Sequence, residues 1–305
     1  MKTRFLTLLA RASLLFAACS SDDHEAPEVN DGRVQFTSGV TAMASPQTRM
    51  IGGNQWETTD QVGIYMVENG TTTIGEGAEN VKYKANSAGA STDFEAMDAP
   101  IYYPVNSPEK VDFIAYYPYT TAVNNFEYAI NVSDQSNLSA IDLLRAEADN
   151  SGAGYDKTNT SAIALTFNHK LTKLKMNVTA GDGVANLTGL TVSIKGMNTQ
   201  ATYDLKSATG IRDEAAPQAI EPNGLGSSFE AILLPVTALG AEHTVEFTVG
   251  TNTYVWLMAN NTGGMNKLEA GKEYSFEVTL KKEKVTATGT ITPWEAAGGG
   301  NVTAE

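Results

Sequence analysis

Apolar and polar residues alternate over many short stretches of this chain. In the first half, Val111, Phe113, Ala115 and Tyr117 occupy every second position, and Tyr274–Leu280 repeats the pattern in the second half. Strict alternation is typical of a strand that buries one face. The same alternation predicts further strands at 81–85, 126–132, 190–194 and 245–249.

One stretch changes phase along its length. Ile163, Leu165 and Phe167 lie at odd positions, whereas Leu174 and Met176 lie at even positions. A slip of one residue turns every side chain of a strand to the opposite face. We therefore predict one long strand that is interrupted by a β-bulge near residues 172–173.

Turns are better marked than helices. Gly250-Thr251-Asn252 separates two alternating stretches and predicts a hairpin turn. A short helix is predicted within 138–148. Many short strands between turn residues indicate an all-β fold made of sandwiches.

The segment 150–161, NSGAGYDKTNTS, is rich in Gly, Ser, Thr and Asn and indicates a domain boundary. We expect an N-terminal β-sandwich over 34–160 and a C-terminal β-sandwich over 161–305. The length of 305 residues is sufficient for two ordinary domains.

The first 18 residues are typical of a targeting segment. Lys2 and Arg4 precede an apolar stretch that is shorter than the roughly 20 residues needed to span a bilayer. Phe16-Ala17-Ala18-Cys19 resembles a bacterial lipobox, which implies cleavage before Cys19 and lipidation of that cysteine. Residues 1–18 are thus predicted to be a lipoprotein signal peptide. Residues 19–33 are predicted to be an acidic polar tether, which resembles a Bacteroides-type surface-export signal or would serve as a plain linker.

The charge and the cysteine content exclude several classes of protein. The formal net charge of −14 argues against a nucleic-acid partner, which requires a basic surface. Cys19 is the only cysteine of the sequence, so an internal disulfide and a cysteine-based metal site are both excluded.

Neither a catalytic nor a cofactor motif is found in the sequence. His24, His169 and His243 lie far apart and lack the spacing of metal ligands. A nucleophile elbow, a phosphate-binding loop and a dinucleotide fingerprint are absent. We expect no metal and no cofactor, and we expect a protein that is not an enzyme.

The segment 285–292, VTATGTIT, is uncharged and rich in β-branched residues. Val285, Ala287, Gly289 and Ile291 would share one face of a strand. Such a strand either closes its own sandwich or is offered to another subunit, because strand edges recruit partners.

An ordered set of motifs resembles the fimbrillin (Mfa-like) family, the type V pilins of Bacteroides-like bacteria. No single motif is specific, but together they cover nearly the whole mature chain. The motifs are TRMIGGNQWETTDQVGIYM (48–66), IYYP with VDFIAYYPY, DLLRA (142–146), LTFNHKLTKLKMNV (165–178), ILLP (232–235), LEAGKEYSFEVTL (268–280) and ITPW (291–294).

The resemblance implies two tandem transthyretin-like β-sandwich domains behind a lipoprotein signal peptide. In polymerising members a trypsin-like protease removes the first strand, and a strand of the next subunit fills the groove. Val34–Val40 would be the strand that leaves, and Arg49 would be the cleavage site. Arg33 is a rival basic site, but cleavage there would leave the strand in place. Residues 285–291 would be donated, or ITPW would close the subunit's own sandwich, as suits a tip or accessory subunit.

Two functions follow from the resemblance. The first is a stalk or tip subunit of a fimbrium that is exported as an outer-membrane lipoprotein, joins other fimbrial subunits and serves adhesion. The second is a stand-alone surface lipoprotein that binds a glycan or host ligand through exposed aromatic residues. The candidate aromatic residues are Tyr102, Tyr116, Trp256 and Trp294.

Overall fold

The computed structural model describes residues 31–38, 55–106, 109–208, 210–261, 264–282 and 284–293. These residues form strands and one short helix, α1, which confirms the all-β class. The elements are β1 Phe36–Ser38, β2 Gln61–Glu68, β3 Val81–Ala85, β4 Asp93–Ala96, β5 Val111–Tyr117, β6 Glu127–Asn131, α1 Leu138–Ile141, β7 Leu144–Ala148, β8 Ile163–Leu165, β9 Asn168–His169, β10 Thr172–Ala180, β11 Thr191–Lys195, β12 Asn198–Asp204, β13 Ile211–Pro217, β14 Asn223–Leu225, β15 Ser228–Leu233, β16 Thr244–Val249, β17 Asn252–Leu257, β18 Lys272–Lys281 and β19 Lys284–Pro293.

The largest sheet has eight strands in the order β8-β1-β4-β3-β2-β5-β7-β9. Its two ends come close together, because β8 at one end also lies beside β7 near the other. The inward side chains form an apolar core that includes Phe36, Ile64, Tyr83, Phe113 and Leu165. The sheet therefore curls around its own core.

The second half of the chain forms a sandwich of two sheets. A five-stranded sheet has the order β14-β15-β10-β18-β19, and a three-stranded sheet has the order β11-β16-β17. The core between them includes Leu174, Phe247, Trp256 and Phe276. β17 and β19, the edge strands of the two sheets, lie near each other.

A third apolar core joins the two halves of the chain. β6 of the first half pairs with β12 of the second half, and β12 in turn pairs with β13. Tyr65, Tyr116 and Tyr203 are buried there. β8 and β9 follow residue 160 but complete the first sheet. The division into 34–160 and 161–305 and the transthyretin-like arrangement remain predictions.

Alternation located most of the strands correctly. The expected strands at 81–85, 126–132, 190–194, 245–249 and 274–280 correspond to β3, β6, β11, β16 and β18. The hairpin prediction is also confirmed, because β16 and β17 meet at Gly250, whose φ is +61°. Within 138–148, where the sequence predicts a short helix, the structure has the helix α1 at the start and the strand β7 at the end.

The predicted bulge near residues 172–173 is wrong. The phase changes because the chain leaves one sheet and enters another: β8 and β9 belong to the eight-stranded sheet, and β10 belongs to the five-stranded sheet. Phe167, Leu171 and Leu174 are consequently buried in three different cores.

Alkaline pH is expected to destabilise the fold. Burial raises the pKa of Tyr103, Tyr128 and Tyr203 to about 12, whereas a free tyrosine has a pKa near ~10. A pKa raised by folding contributes stability below the unfolded pKa, and this stability is lost as pH rises towards the folded pKa. We expect the urea midpoint to fall between pH about 10 and about 12. Tyr128→Phe should lessen that fall, and equal midpoints at pH 9 and pH 11 would contradict the prediction.

Candidate functional site

The position of β1 within the eight-stranded sheet makes it the first candidate functional site. β1 pairs antiparallel with β4, where Phe36 opposes Phe94, and parallel with β8, where Phe36 opposes Ile163. We name the space that β1 occupies between β4 and β8 the β1 slot. Because β1 is an interior strand, both of its edges are engaged.

The inward side chains of β1, together with Val34 just before it, fill the slot. Val34 and Phe36 are each 1% exposed, and Ser38 is 2% exposed. The Phe36 ring packs edge-on against Tyr83 and Phe113, with ring centroids 5.2 and 5.1 Å apart. Phe36 is therefore the central apolar contact between β1 and the first core.

Backbone and hydroxyl hydrogen bonds fix the register of β1. The Val34 amide donates to the Ile101 carbonyl at 2.9 Å, and the Ser38 amide donates to the Thr92 carbonyl at 2.8 Å. The Thr92 amide donates to Ser38 Oγ at 3.1 Å. On the other edge, the Ile163 amide donates to the Gln35 carbonyl at 2.7 Å.

Cys19 and Arg49, the predicted lipidation and cleavage sites, lie outside the described residues. Arg49 belongs to the segment 39–54, which connects β1 to the part of the chain that begins at Gln55. Arg33 is described, and it forms an isolated β-bridge with Tyr102 before β1 begins. A cut after Arg33 would leave β1 attached to the rest of the chain.

The predicted donor residues lie in β19, in a different sheet from β1. β19 pairs with β18 over its whole length, from Lys284 to Pro293. Ala287 is buried in the C-terminal core and Val285 packs against that core. Ile291 is 45% exposed. The structure thus places this segment in its own sandwich and does not bring it to the β1 slot.

Gly289 explains how β19 fits on its neighbour. It pairs with Phe276 of β18, and a Cβ atom at Gly289 would lie 2.1 Å from Phe276 Cε1. The Phe276 ring also packs on Trp256, with centroids 4.7 Å apart. Sequence reasoning placed Gly289 on the inward face but missed that the residue makes room for an aromatic ring.

Two of the aromatic residues proposed to bind a ligand are buried. Tyr116 is 0% exposed and Trp256 is 2% exposed. The Tyr116 hydroxyl donates to Asn80 Oδ1 at 2.8 Å, and the Trp256 indole donates to the Asn260 carbonyl. The prediction of a ligand surface is wrong for these two residues. Tyr102 is 46% exposed, and Trp294 lies outside the described residues.

The two described histidines contact neighbouring groups of the fold. His169 Nδ1 lies 2.9 Å from an Asp142 carboxylate oxygen; Asp142 is buried and His169 is partly buried. His243 Nδ1 accepts a hydrogen bond from the Gly240 amide. Within the described ranges, no group of three or more His, Cys, Asp or Glu could hold a metal ion. His24 lies outside them.

One open cavity of about 570 Å³ lies beside the start of β5 and is lined in part by the loop 69–73. The Asp112 carboxylate at its wall accepts hydrogen bonds from Asn69 Nδ2 and from the Gly70 amide. These polar groups satisfy each other and position the loop. In the part of the chain that the structure describes, no helix is long and apolar enough to span a bilayer.

Comparison with known proteins gives concordant matches. The model of the family described as "Fimbrillin-like" matches residues 48–294. The "Putative fimbrium subunit Fim1C" of Bacteroides uniformis is 33% identical over an alignment of 316 residues, gaps included, that covers 99% of each chain.

Solved structures with the same fold also match. A "putative cell adhesion protein" from Bacteroides uniformis is 28% identical with a TM-score of 0.73, over 88% of this chain and 100% of that one. The tip fimbrial protein Mfa3 of Porphyromonas gingivalis, truncated at its C-terminus, is 11% identical with a TM-score of 0.51, over 86% and 99% of the two chains. At that identity the second likeness concerns the fold alone.

Proposed function

The chain belongs to the fimbrillin-like family, and from that premise we propose that it is a fimbrial subunit that assembles by exchange of a strand between subunits. The observation that carries the proposal is the position of β1 between β4 and β8. Family membership implies contact with other fimbrial subunits at the cell surface. The fimbrium-subunit name of the relative from Bacteroides uniformis supports the same function.

Loss of β1 would create a groove that another strand can fill. The edges of β4 and β8 would lose their partner, and Tyr83 and Phe113 would lose the Phe36 ring packed between them. Exposed backbone groups and apolar side chains together favour the addition of a strand. A groove on one subunit and a strand on the next form a heterologous contact, which extends into an open filament.

The order of the sequence links the lipid anchor to assembly. Cys19 precedes β1, and Arg49 follows it. A cut after Arg49 would therefore release the lipid-bearing segment together with β1. In this scheme the outer-membrane anchor belongs to the precursor, and its loss permits assembly.

The identity of the donated strand has two candidates in the C-terminal region. The sequence favours residues 285–291, which carry Val285, Ala287, Gly289 and Ile291 on one face. Their donation would require β19 to leave β18. The segment that follows β19 is the other candidate.

A non-polymerising surface lipoprotein that binds a glycan or host ligand is the second candidate function. The observation in its favour is the full-length pairing of β19 with β18, which closes the C-terminal sandwich from within the same chain. Tyr102 is the exposed aromatic residue that such a ligand would contact. A tip or accessory subunit would combine this closed sandwich with a β1 slot that still accepts a strand.

Cleavage of the full-length precursor by limited trypsin treatment tests the first function. We expect a new N-terminus at Met50 by mass spectrometry and a ladder of oligomers on electrophoresis without heating. Arg49→Ala should remain monomeric, because β1 cannot leave. The same new N-terminus is expected for the protein recovered from the native cell surface.

Arg33→Ala is the matched control, because it removes a basic residue on the other side of β1. It should assemble as the unaltered protein does. Complete cleavage after Arg49 without any higher oligomer would contradict self-assembly and favour the non-polymerising lipoprotein.

A further inference from the structure

A second open cavity, of about 370 Å³, lies where the chain passes from the eight-stranded sheet to the five-stranded sheet. We name it the crossing cavity. β9 ends at His169 and β10 begins at Thr172, so the residues between them belong to neither sheet. These residues line the cavity together with Lys272, the first residue of β18. Its volume is within the range of about 300–1,000 Å³ that is usual for small-ligand sites.

The titratable side chains that line the crossing cavity are all basic. They belong to His169, Lys170 and Lys272, and the lining that the structure describes contains no carboxylate. The chain as a whole is acidic, with a formal net charge of −14. The larger cavity beside β5 follows that trend, because it is lined by three carboxylates and one lysine. Positive charges that converge on one cavity repel each other, and a bound anion offsets this repulsion. The crossing cavity therefore suits an anionic group.

The imidazole of His169 is oriented by Asp142. The Nδ1 atom lies 2.9 Å from a carboxylate oxygen of Asp142, which lies outside the lining of the cavity. A carboxylate beside one ring nitrogen fixes the orientation of an imidazole. The single negative charge of Asp142 neutralises at most the charge of His169. It leaves the positive charges of Lys170 and Lys272 for a ligand.

A glycine brings the two lysines to the same cavity. The Gly271 amide donates to the Leu171 carbonyl at 2.8 Å, and the φ of Gly271 is +69°. A Cβ atom at this position would lie 3.2 Å from the carbonyl oxygen of His169. Gly271 thus allows the turn before β18 to approach the crossing closely. This approach places Lys272 on the cavity that Lys170 lines from the other side of the crossing.

Size and charge favour one acidic sugar residue over a longer anion. The net charge of −14 repels a polyanion, whose charges extend beyond the cavity. A small ligand with one negative charge meets mainly the local field of the lysines. The amide of Asn168, which also lines the cavity, can donate to and accept from the hydroxyl groups of a sugar. Small residues, Ala208 and Ala270, leave room for the ring.

We propose that the crossing cavity binds one acidic sugar residue of a glycan, with its carboxylate or sulfate group between the ammonium groups of Lys170 and Lys272. Asn168 contacts the ring hydroxyls. The inference deepens the second candidate function, the binding of a glycan, and rests on it. It is independent of strand exchange, because the cavity exists while β1 is in place.

Calorimetric titration of the uncut full chain at low salt tests the chemistry of the ligand. Sialyllactose supplies a carboxylate, sulfated lactose supplies a sulfate, and lactose is the neutral control. We expect at least one acidic sugar to bind about 10-fold or more tightly than lactose, because charge-assisted hydrogen bonds are the stronger ones. The tighter of the two acidic sugars identifies the anionic group. Added salt should weaken its binding.

Substitution of the lysines tests the place of binding. Lys170→Gln and Lys272→Gln should each weaken binding of the acidic sugar about 10-fold. Lys282→Gln is the matched control, because it removes the same charge from an exposed residue just after β18. It should bind as the unaltered protein does. Equal urea midpoints of the three variants should show that the fold is retained.

Substitution of Asn168 separates a sugar site from a simple anion site. Asn168→Ala should weaken binding of the acidic sugar and leave binding of inorganic sulfate unchanged. Inorganic sulfate that binds as tightly as sulfated lactose would overturn the assignment to a sugar. Heparin that binds more tightly than either acidic sugar, and through the same lysines, would overturn the preference for a single anionic residue.

The remaining outcomes separate this inference from the function on which it rests. If acidic sugars bind equally to the unaltered protein and to both lysine variants, the inference is overturned, and glycan binding stands at another surface. Loss of that binding in Tyr102→Ala would locate it there. If no sugar of a broad glycan array binds, the inference and the second candidate function both fail. The trypsin test of strand exchange keeps its meaning in every case.

Discussion

Replacement of Phe36 by alanine is expected to lower the free energy of unfolding by about 3–5 kcal/mol, the usual cost of removing a buried aromatic side chain. Phe36 is 1% exposed and packs edge-on against Tyr83 and Phe113. Its loss leaves a cavity where β1 meets the first core. Urea denaturation should report the loss, and the melting temperature should fall by roughly 6–20 °C.

Gln35→Ala is the matched control for this change. Gln35 is the neighbouring residue of β1, but its side chain is exposed. Its replacement should change stability by less than about 0.5 kcal/mol. If Phe36→Ala cost less than about 1 kcal/mol, β1 would not be an integral part of the folded precursor, and the β1 slot would already be open before cleavage.

The position of each strand could be predicted where one buried face sets the phase. In β18, Tyr274, Phe276, Val278 and Leu280 are all buried, and the residues between them are more exposed. In β5, Val111, Phe113, Ala115 and Tyr117 gave the same signal. Alternation depends only on burial of one face of the strand. A strand can therefore be predicted from it without knowing which strands are its neighbours.

The partners of the strands could not be predicted from the same pattern. β1 lies beside β8, a strand from beyond the predicted domain boundary. The apolar face of a strand can pack against any apolar neighbour. The alternating pattern therefore does not indicate which strands pair. For this reason the phase slip before β10 predicts a bulge from the sequence alone, although it marks a change of sheet.

Burial on two faces was also hidden from the sequence. All seven residues of β5 are buried, because Phe113 faces the first core while Tyr116 faces the core that β6 and β12 cover. A tyrosine in a strand is equally suited to a solvent-exposed face and to a buried face of the sheet. Tyr116 therefore remained a ligand candidate until the covering strands were known.

The candidate site was predictable in parts. The resemblance to the fimbrillin family implied that Val34–Val40 is the first strand and that the C-terminal region is a source of a donated strand. It did not show that β19 is bound along its whole length to β18. Because of that pairing, donation of residues 285–291 would require β19 to leave β18.

Replacement of Gly289 by valine should detach β19 from its sandwich, at an expected cost of about 2–4 kcal/mol. Overpacking of a filled core costs about 1–3 kcal/mol, and separation of β19 adds the exposure of Ala287 and of the partly buried Val285. A Cβ at this position would lie 2.1 Å from Phe276 Cε1. The Phe276 ring is held by Trp256 behind it, so β19 has to move away. Urea denaturation should measure the loss.

Hydrogen exchange locates this effect within the chain. The amides of 285–291 should exchange much faster in Gly289→Val than in the unaltered protein, while those of β2 and β5 should keep their protection. Thr290→Val adds the same side chain to the opposite face of β19 and should leave both stability and exchange almost unchanged. Equal protection of β19 in Gly289→Val would show that the Phe276 ring yields instead, and the close approach of Gly289 would then not be what seats β19 on β18.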